Sequence, residues 1–256
     1  MTGEAFDLVL PRLLFVGLVG IRVGVAIVTL PPPFGDVSPI AVRVSLSLLV
    51  AFALGLAMPA PDLAADPVAF VRAAIGEAAI GALLGLTVRA AMAAAEVAGG
   101  LCGLSMGLGF ASTVDPALGE EVLPTTRLVV LLAALLFFAT GGHHAVLGAL
   151  GASLEIAPPG QIGRVLASPN VLRIGAQSVA HGLQIAAPVV ATMFLVNAGI
   201  ALVSRAAPQL HVFALSMGLA AAVGLVTLAA TAPSLAHAIA QEMARLPDAL
   251  VAQLGR

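Results

Sequence analysis

Several ionisable and polar side chains interrupt long apolar stretches of this sequence, and they are its first candidates for chemistry. They are Arg22, Glu77, Arg89, Glu96, His181 and Asn197. An ionised group inside an apolar medium is costly, so such side chains usually face another helix, a partner or water. Pairing between neighbouring helices is the favoured interpretation. A proton or ion pathway is the alternative, although no stretch carries a regular ladder of acids or histidines.

Two of these charges lie on one stretch. Arg89 and Glu96 are seven residues apart, which places them on the same helix face about two turns apart. That separation exceeds the three- or four-residue spacing at which helical side chains pair. We therefore expect Arg89 and Glu96 each to contact a different helix or a partner subunit.

Metal, catalytic and nucleic-acid sites have little support in the sequence. His143 and His144 are adjacent, so on a helix they point about 100° apart and rarely bind one ion together. No HExxH motif or Cys-His cluster accompanies the single Cys102. The net charge is −2 and no basic cluster exists, so the sequence offers no surface that would bind nucleic-acid phosphates. We predict no cofactor, no metal and no catalytic residue.

A glycine-rich segment at residues 99–124 is the most informative part of the chain. From Gly103 to Phe110, small residues alternate with large apolar ones, a period of two where a helix has 3.6. Glycine is also unfavourable inside helices. We predict that the preceding helix ends here and that a re-entrant or pore-lining loop follows, since irregular backbone in a membrane must lie in protein or water. An ordinary interhelical loop is the alternative.

The elements that must position this segment are hydrophobic helices. Hydrophobic residues make up 60% of the 256 and charged residues only 9%, with a mean hydropathy of +1.10. A soluble fold of this size carries about 25% charge, so a bilayer or a large assembly must be the solvent. We predict an all-α polytopic membrane protein with six long apolar runs, at Leu8–Leu30, Ile40–Met58, Ala73–Gly99, Leu128–Leu154, Val171–Val203 and Leu210–Ala232. A shorter amphipathic piece, Ala236–Leu254, follows.

Orientation in the membrane does not follow from charge. With six crossings, six arginines fall on one side and five on the other, which gives no positive-inside signal. The chain has no Trp and no Tyr for an aromatic belt. Acids at Glu4 and Asp7 precede the first run, where a secretory signal would be basic, so we read that run as retained. The helices are expected to be held by protein more than by lipid.

Four stretches of the sequence, in order, resemble one family. AGGLCGLSMGLGFASTVDP, at residues 98–116, resembles the pattern AGxxxGxxMGxxFAxxxDP of the FliR family, whose injectisome relatives are called SctT. Residues 135–160 resemble its apolar helix, Gly-His pair and Pro-Gly loop. Residues 195–218 resemble its Asn-containing helix followed by Arg-x-Ala-Pro-Gln-Leu, and residues 22–51 fit as well. The resemblance covers nearly the whole chain.

The resemblance implies a non-enzymatic core subunit of the flagellar type III export gate. With FliP-like and FliQ-like subunits, and an FlhB-like one, it would form a pore for unfolded protein substrates. Its place would be the bacterial inner membrane within the flagellar basal body, with residues 1–256 as a single export-gate domain. The family's plug loop maps to Met106, Gly107, Leu108, Gly109, Phe110, Ala111, Ser112, Asp115 and Pro116, with Phe110 directed into the channel.

A second group of residues is expected to contact partners. Arg205 follows an apolar run and lies beside Pro208 and Gln209, and it is expected to pair with a carboxylate or with backbone carbonyls of a neighbouring subunit. A snorkelling interfacial arginine is the alternative. Two other functions stay open at this point: an injectisome subunit of the SctT type, and a secondary transporter or channel with a site at interrupted helices.

Overall fold

The computed structural model describes residues 2–31, 39–58, 67–109, 122–160, 170–206 and 212–253. Every regular element within these ranges is helical, with no strand among them. The helices are α1 (Thr2–Thr29), α2 (Ile40–Ala57), α3 (Pro67–Ser105), α4 (Pro124–Ala139), α5 (Gly142–Ile156), α6 (Asn170–Ala206), α7 (Val212–Ala244) and α8 (Leu246–Gln253).

Most of these helices match membrane dimensions. Five segments of the described chain are long and apolar enough to cross a bilayer, and α4 with α5 would make a sixth if they form one broken span. The apolar segments of α2, α6 and α7 are mostly exposed, because only 17%, 17% and 22% of their residues are buried. The prediction of an all-α polytopic membrane protein is confirmed.

Two predicted boundaries were wrong. The run Leu128–Leu154 is not one helix, because the chain breaks between α4 and α5 at Gly141, where φ is +76°. Glycine enters this left-handed region without the steric cost that other residues meet. The double glycine at 141 and 142 was therefore a helix-stop signal that the hydropathy of the run concealed.

The second wrong boundary is at the C-terminal end, where a helix is longer than predicted. We expected a helix to end at Ala232, yet α7 passes through Pro233 and continues to Ala244. Likewise α6 contains Pro188. Proline removes the hydrogen bond to the carbonyl four residues earlier, yet membrane helices tolerate it. A hydroxyl adds a backbone hydrogen bond close to each proline, from Thr192 to the Pro188 carbonyl oxygen at 2.9 Å and from Ser234 to that of Thr231 at 2.8 Å.

The described chain divides into two compact units. The first comprises residues 1–90, 141–175 and 244–256, and the second comprises residues 91–140 and 176–243. In the first unit α2 packs along α1 through a stripe of small residues at four-residue spacing, Ser47, Ala51 and Gly55. A Cβ built on Gly55 would lie 2.9 Å from Val16 Cγ2, so the two helices approach closely there.

Glycines also set the contact between α1 and α3 in the first unit. A Cβ on Gly81 would overlap the Arg22 carbonyl oxygen, and one on Gly85 would lie 2.7 Å from the Ala26 carbonyl oxygen. These close approaches leave no room for a side chain. Gly81 lies against Arg22 and Gly85 lies against Ala26, so residue numbers increase in the same direction along both helices. This part of α3 therefore runs parallel to α1.

The second unit uses the same device. A Cβ on Gly99 would lie 2.5 Å from Thr126 Cα, and one on Gly182 of α6 would lie 2.7 Å from the Ala94 carbonyl oxygen. Thr125 donates a hydrogen bond to the Gly99 carbonyl oxygen at 2.9 Å, which adds a polar contact between α3 and α4. In lipid the hydrophobic effect does not favour association between helices, so close packing at small residues and hydroxyl hydrogen bonds hold them together.

Replacing Gly81 by Ala should therefore destabilise the first unit, because the added methyl group meets backbone atoms of α1 that cannot rotate away. Gly24→Ala in α1 is the matched control, since a Cβ there meets nothing within 4 Å. We expect a lower midpoint of thermal aggregation in detergent for Gly81→Ala and an unchanged or raised midpoint for Gly24→Ala. Equal midpoints for the two variants would contradict the close contact.

Candidate functional site

Arg22 lies at the centre of a buried polar cluster in the first unit. Its Nε lies 2.6 Å from Glu77 Oε2. Its Nη1 donates to Ser153 Oγ at 3.0 Å and its Nη2 donates to the Ala157 carbonyl oxygen at 2.8 Å. One guanidinium on α1 therefore binds α3, α5 and the residue that follows α5.

This cluster is sealed from solvent. Arg22 and Ser153 are 0% exposed and Glu77 is 1% exposed. Ser153 in turn donates to the Leu150 carbonyl oxygen at 2.7 Å, so its hydroxyl is both donor and acceptor. A buried ion pair is tolerable when further hydrogen bonds accompany it, and here each of the three guanidinium nitrogens of Arg22 has an acceptor. The expectation that charges inside apolar stretches pair between helices is confirmed for Arg22 and Glu77.

Removing one partner of this pair should be severe. Arg22→Met leaves the Glu77 carboxylate buried without its counterion, and such a loss typically costs about 3–5 kcal/mol. The double variant Arg22→Met with Glu77→Leu removes both charges and should regain most of the loss. The amount of monodisperse protein extracted from membranes, and its melting midpoint, measure this. A double variant as unstable as Arg22→Met would show that the pair itself does not determine the effect.

The glycine-rich segment begins with a defined helix stop. Gly107 has φ of +77°. The Leu108 amide donates to the Gly103 carbonyl oxygen at 3.0 Å, and the Gly107 amide donates to that of Leu104 at 3.0 Å. This pair of bonds around a left-handed glycine is the Schellman motif, which satisfies the last carbonyls of a helix. Thus α3 ends at Ser105 because Gly107 permits the turn.

The predicted period of two was wrong for the first part of the segment. Residues up to Ser105 are helical. Gly103 serves helix packing there, since a Cβ on it would overlap Thr125 Oγ1 and lie 3.0 Å from Leu123 Cδ1. The predicted end of the helix within this segment is confirmed, a few residues later than the alternation indicated.

The predicted pore residues divide into two groups. Met106 is 1% exposed, and Gly107, Leu108 and Gly109 are half-buried. Phe110, Ala111, Ser112, Asp115 and Pro116 lie outside the described residues. The side chain of Met106 lies on α7, where a Cβ built on Gly224 would be 2.9 Å from the Met106 sulfur. Asn197 of α6 donates from Nδ2 to the Ser105 carbonyl oxygen at 3.4 Å.

Gly107→Ala should weaken the end of α3, because a Cβ in the left-handed region costs about 1 kcal/mol. Asn tolerates this region, so Gly107→Asn is the control and should be milder. Hydrogen exchange of the Gly103–Gly109 amides in detergent reports the change locally. Unchanged protection in Gly107→Ala would mean that the Schellman turn does not hold the segment.

The residues predicted to contact partners remain free of ion pairs in the described chain. Arg89 is exposed and Glu96 is half-buried, and within the described ranges neither forms a salt bridge. Arg205 is exposed in the last turn of α6, where a cation interacts favourably with the helix dipole. Pro208 and Gln209 lie outside the described residues. Their contact with partners stays a prediction.

A second ionisable pair joins α6 and α7. His181 Nδ1 lies 2.8 Å from Glu242 Oε2, with the side chains 29% and 14% exposed. The sequence singled out His181 but not its partner, because Glu242 was assigned to a separate C-terminal piece. Continuity of α7 through Pro233 brings the two together.

The rings of the adjacent histidines are close but tilted, with 44° between their planes. The ring centroids of His143 and His144 are 4.1 Å apart. In the part of the chain that the structure describes, no three His, Cys, Asp or Glu side chains come together as metal ligands.

These features define a polytopic, all-helical integral membrane protein. Its helices are held by close glycine contacts and a buried ion pair, and α3 ends at a glycine turn inside the glycine-rich segment. The chain belongs to the family described as bacterial export proteins, family 1, whose sequence model matches residues 13–246. The resemblance to the FliR family is thereby confirmed.

Individual relatives agree with the family. Flagellar biosynthetic protein FliR of Escherichia coli K12 is 32% identical over 201 residues, covering 77% of this chain and 76% of that protein. Its namesake from Bacillus subtilis is 28% identical over 224 residues, covering 82% and 83%. Yop proteins translocation protein T of Yersinia pestis is 30% identical over 155 residues, covering 59% of each.

Proposed function

We propose that this chain is a core subunit of the flagellar type III protein export gate. The observation that carries the proposal is the family match across residues 13–246, together with FliR relatives that align over most of their length. The buried cluster at Arg22 is sealed and fits a structural subunit. The role is non-enzymatic, and the substrate is an unfolded protein in transit.

Residues 106–116 form the plug of the pore in this proposal, with Phe110 directed into the channel. One observation and one general constraint support this position. The helix stop at Gly107 ends α3 within the family motif. Irregular backbone at membrane depth is tolerated only inside protein or beside water, which fits a pore.

FliP-like and FliQ-like subunits, and an FlhB-like subunit, are the proposed partners in the bacterial inner membrane. Large apolar side chains cover the outer face of α2 and much of α6, among them Leu48, Leu49, Phe52, Phe194 and Leu195. The full chain acts as one domain of that assembly. Arg89, Glu96 and Arg205 supply charges for contacts with neighbouring subunits.

Deletion of the gene in its native host tests the proposal. We expect loss of swimming and of flagellar subunits from the culture medium, both restored by a plasmid copy. Swimming cells that instead lose secretion of other proteins would place the chain in an injectisome, the alternative that the Yersinia relative favours. A deletion without any secretion defect would refute both.

Partner identity needs a separate measurement. A tagged chain, purified in mild detergent from the host, should carry FliP-like and FliQ-like proteins identified by mass spectrometry. Charge-removing variants Arg205→Gln and Arg89→Gln should reduce their recovery, whereas Arg12→Gln should not. Arg12 bonds the Leu56 and Met58 carbonyl oxygens of its own chain at 2.9 and 2.8 Å. A folded chain that purifies alone would contradict the obligate-subunit proposal.

A further inference from the structure

We infer that Met106 is a fixed anchor seated on Gly224, so that the end of α3 stays in place while protein is exported, and that Gly224 and Asn197 are positioning residues for the pore. The inference rests on the proposed function and deepens it. It also reassigns Met106, which the family resemblance places inside the plug loop.

The side chain of Met106 packs directly against Gly224 of α7. A Cβ built on Gly224 would overlap Met106 Cγ and would lie 2.9 Å from the sulfur and 3.1 Å from the terminal methyl carbon. Three successive atoms of one side chain therefore lie directly over the α7 backbone. The absence of a side chain at position 224 makes the socket, and the flexible thioether of methionine fills it.

The surroundings of Met106 oppose its withdrawal. Its side chain is 1% exposed, so leaving the socket would transfer an apolar group out of packed protein and open a void. Its amide donates to the Cys102 carbonyl oxygen at 3.1 Å, which continues the hydrogen-bonding pattern of α3. Deep packing and a continued helical bond describe a fixed point.

Neighbouring contacts fix the same turn from two other directions. Asn197 of α6 donates to the Ser105 carbonyl oxygen, one of the orphan carbonyls at the helix end. Gly107 closes the Schellman turn immediately after Met106. By contrast, Leu108 and Gly109 are half-buried. These contacts hold the backbone at the end of α3 as far as Gly107.

A disulfide between positions 106 and 224 tests the inference directly. Met106 Cβ is one bond from the Cγ that a Cβ at Gly224 would overlap and is farther from that Cβ than the methyl carbon at 3.1 Å, so the two Cβ atoms are close to the roughly 3.5–4.5 Å separation of a disulfide. The variant is Met106→Cys with Gly224→Cys in a Cys102→Ala background, because Cys102 is buried one turn earlier. The control pair joins Met106→Cys to Gly218→Cys, where a Cβ meets nothing within 4 Å.

Cells that carry the plasmid variant in the deletion strain are oxidised, and secreted flagellar subunits are quantified before and after addition of a reductant. We expect the 106–224 pair to cross-link, the control pair not to cross-link, and secretion to stay within about twofold of the reduced state. Secretion that falls tenfold or more on oxidation and returns on reduction would overturn the inference, because Met106 would then have to leave Gly224. Failure to cross-link would overturn the contact itself.

The proposed function is judged separately, by whether the reduced variants and the unmodified chain restore secretion to the deletion strain. A positioning role for Gly224 has its own readout. Gly224→Ala should displace Met106 and raise the leak of small solutes through resting cells several-fold, and Gly218→Ala should not. Addition of Met106→Ala, which removes the clash, should lower the leak of Gly224→Ala. A leak that Met106→Ala leaves unchanged or increases would overturn the positioning role.

Discussion

Helices in lipid gain nothing from hydrophobic association with one another, and the arrangement within each unit of this protein follows from that constraint. Contacts must come from close van der Waals packing and from polar groups that have no water to bond. Glycine supplies the first and a few buried hydroxyls and charges supply the second. Gly81 and Glu77 show how the two combine, because they are one helical turn apart on α3 and face the same turn of α1.

The two units apply the constraint differently. In the first unit a charge pair with accessory hydrogen bonds ties α1 to α3 and α5, and such a cluster specifies one register because a shifted helix would bury an unpaired charge. The second unit shares the close glycine contacts, and its polar contacts are the Thr125 hydrogen bond to Gly99 and the partly exposed His181–Glu242 pair. At Gly182 the space that a side chain would occupy is filled by the Ala94 carbonyl group, and at Gly224 it is filled by the Met106 side chain. The glycine-rich segment begins in this unit, at the end of α3.

The sequence predicted the helical class, the end of a helix within the glycine-rich segment and the family, because hydropathy and glycine patterns are local signals. It could not pair Arg22 with Glu77, Ser153 and Ala157, since nothing in a single chain states which distant residues meet. Helix ends were also poorly predicted where local rules compete. Apolar continuity concealed the break at Gly141, while Pro233 suggested a break that the packed helix does not make. The alternation around Gly103 did not mark the start of the loop, because Gly103 is still helical and packs against Thr125 of α4.

The Arg22 cluster has a consequence for how the protein is made. Two acceptors of the guanidinium lie 131 and 135 residues further along the chain, at Ser153 and Ala157. A ribosome that adds about 5–20 residues per second needs roughly 7–27 s to reach them after Arg22 has emerged. By contrast α1 and α2 are sequential, so their contact can form as soon as both are synthesised. During translation the nascent chain thus carries a hydrophobic hairpin with an incompletely bonded cation, and its insertion machinery must tolerate that charge until α5 arrives.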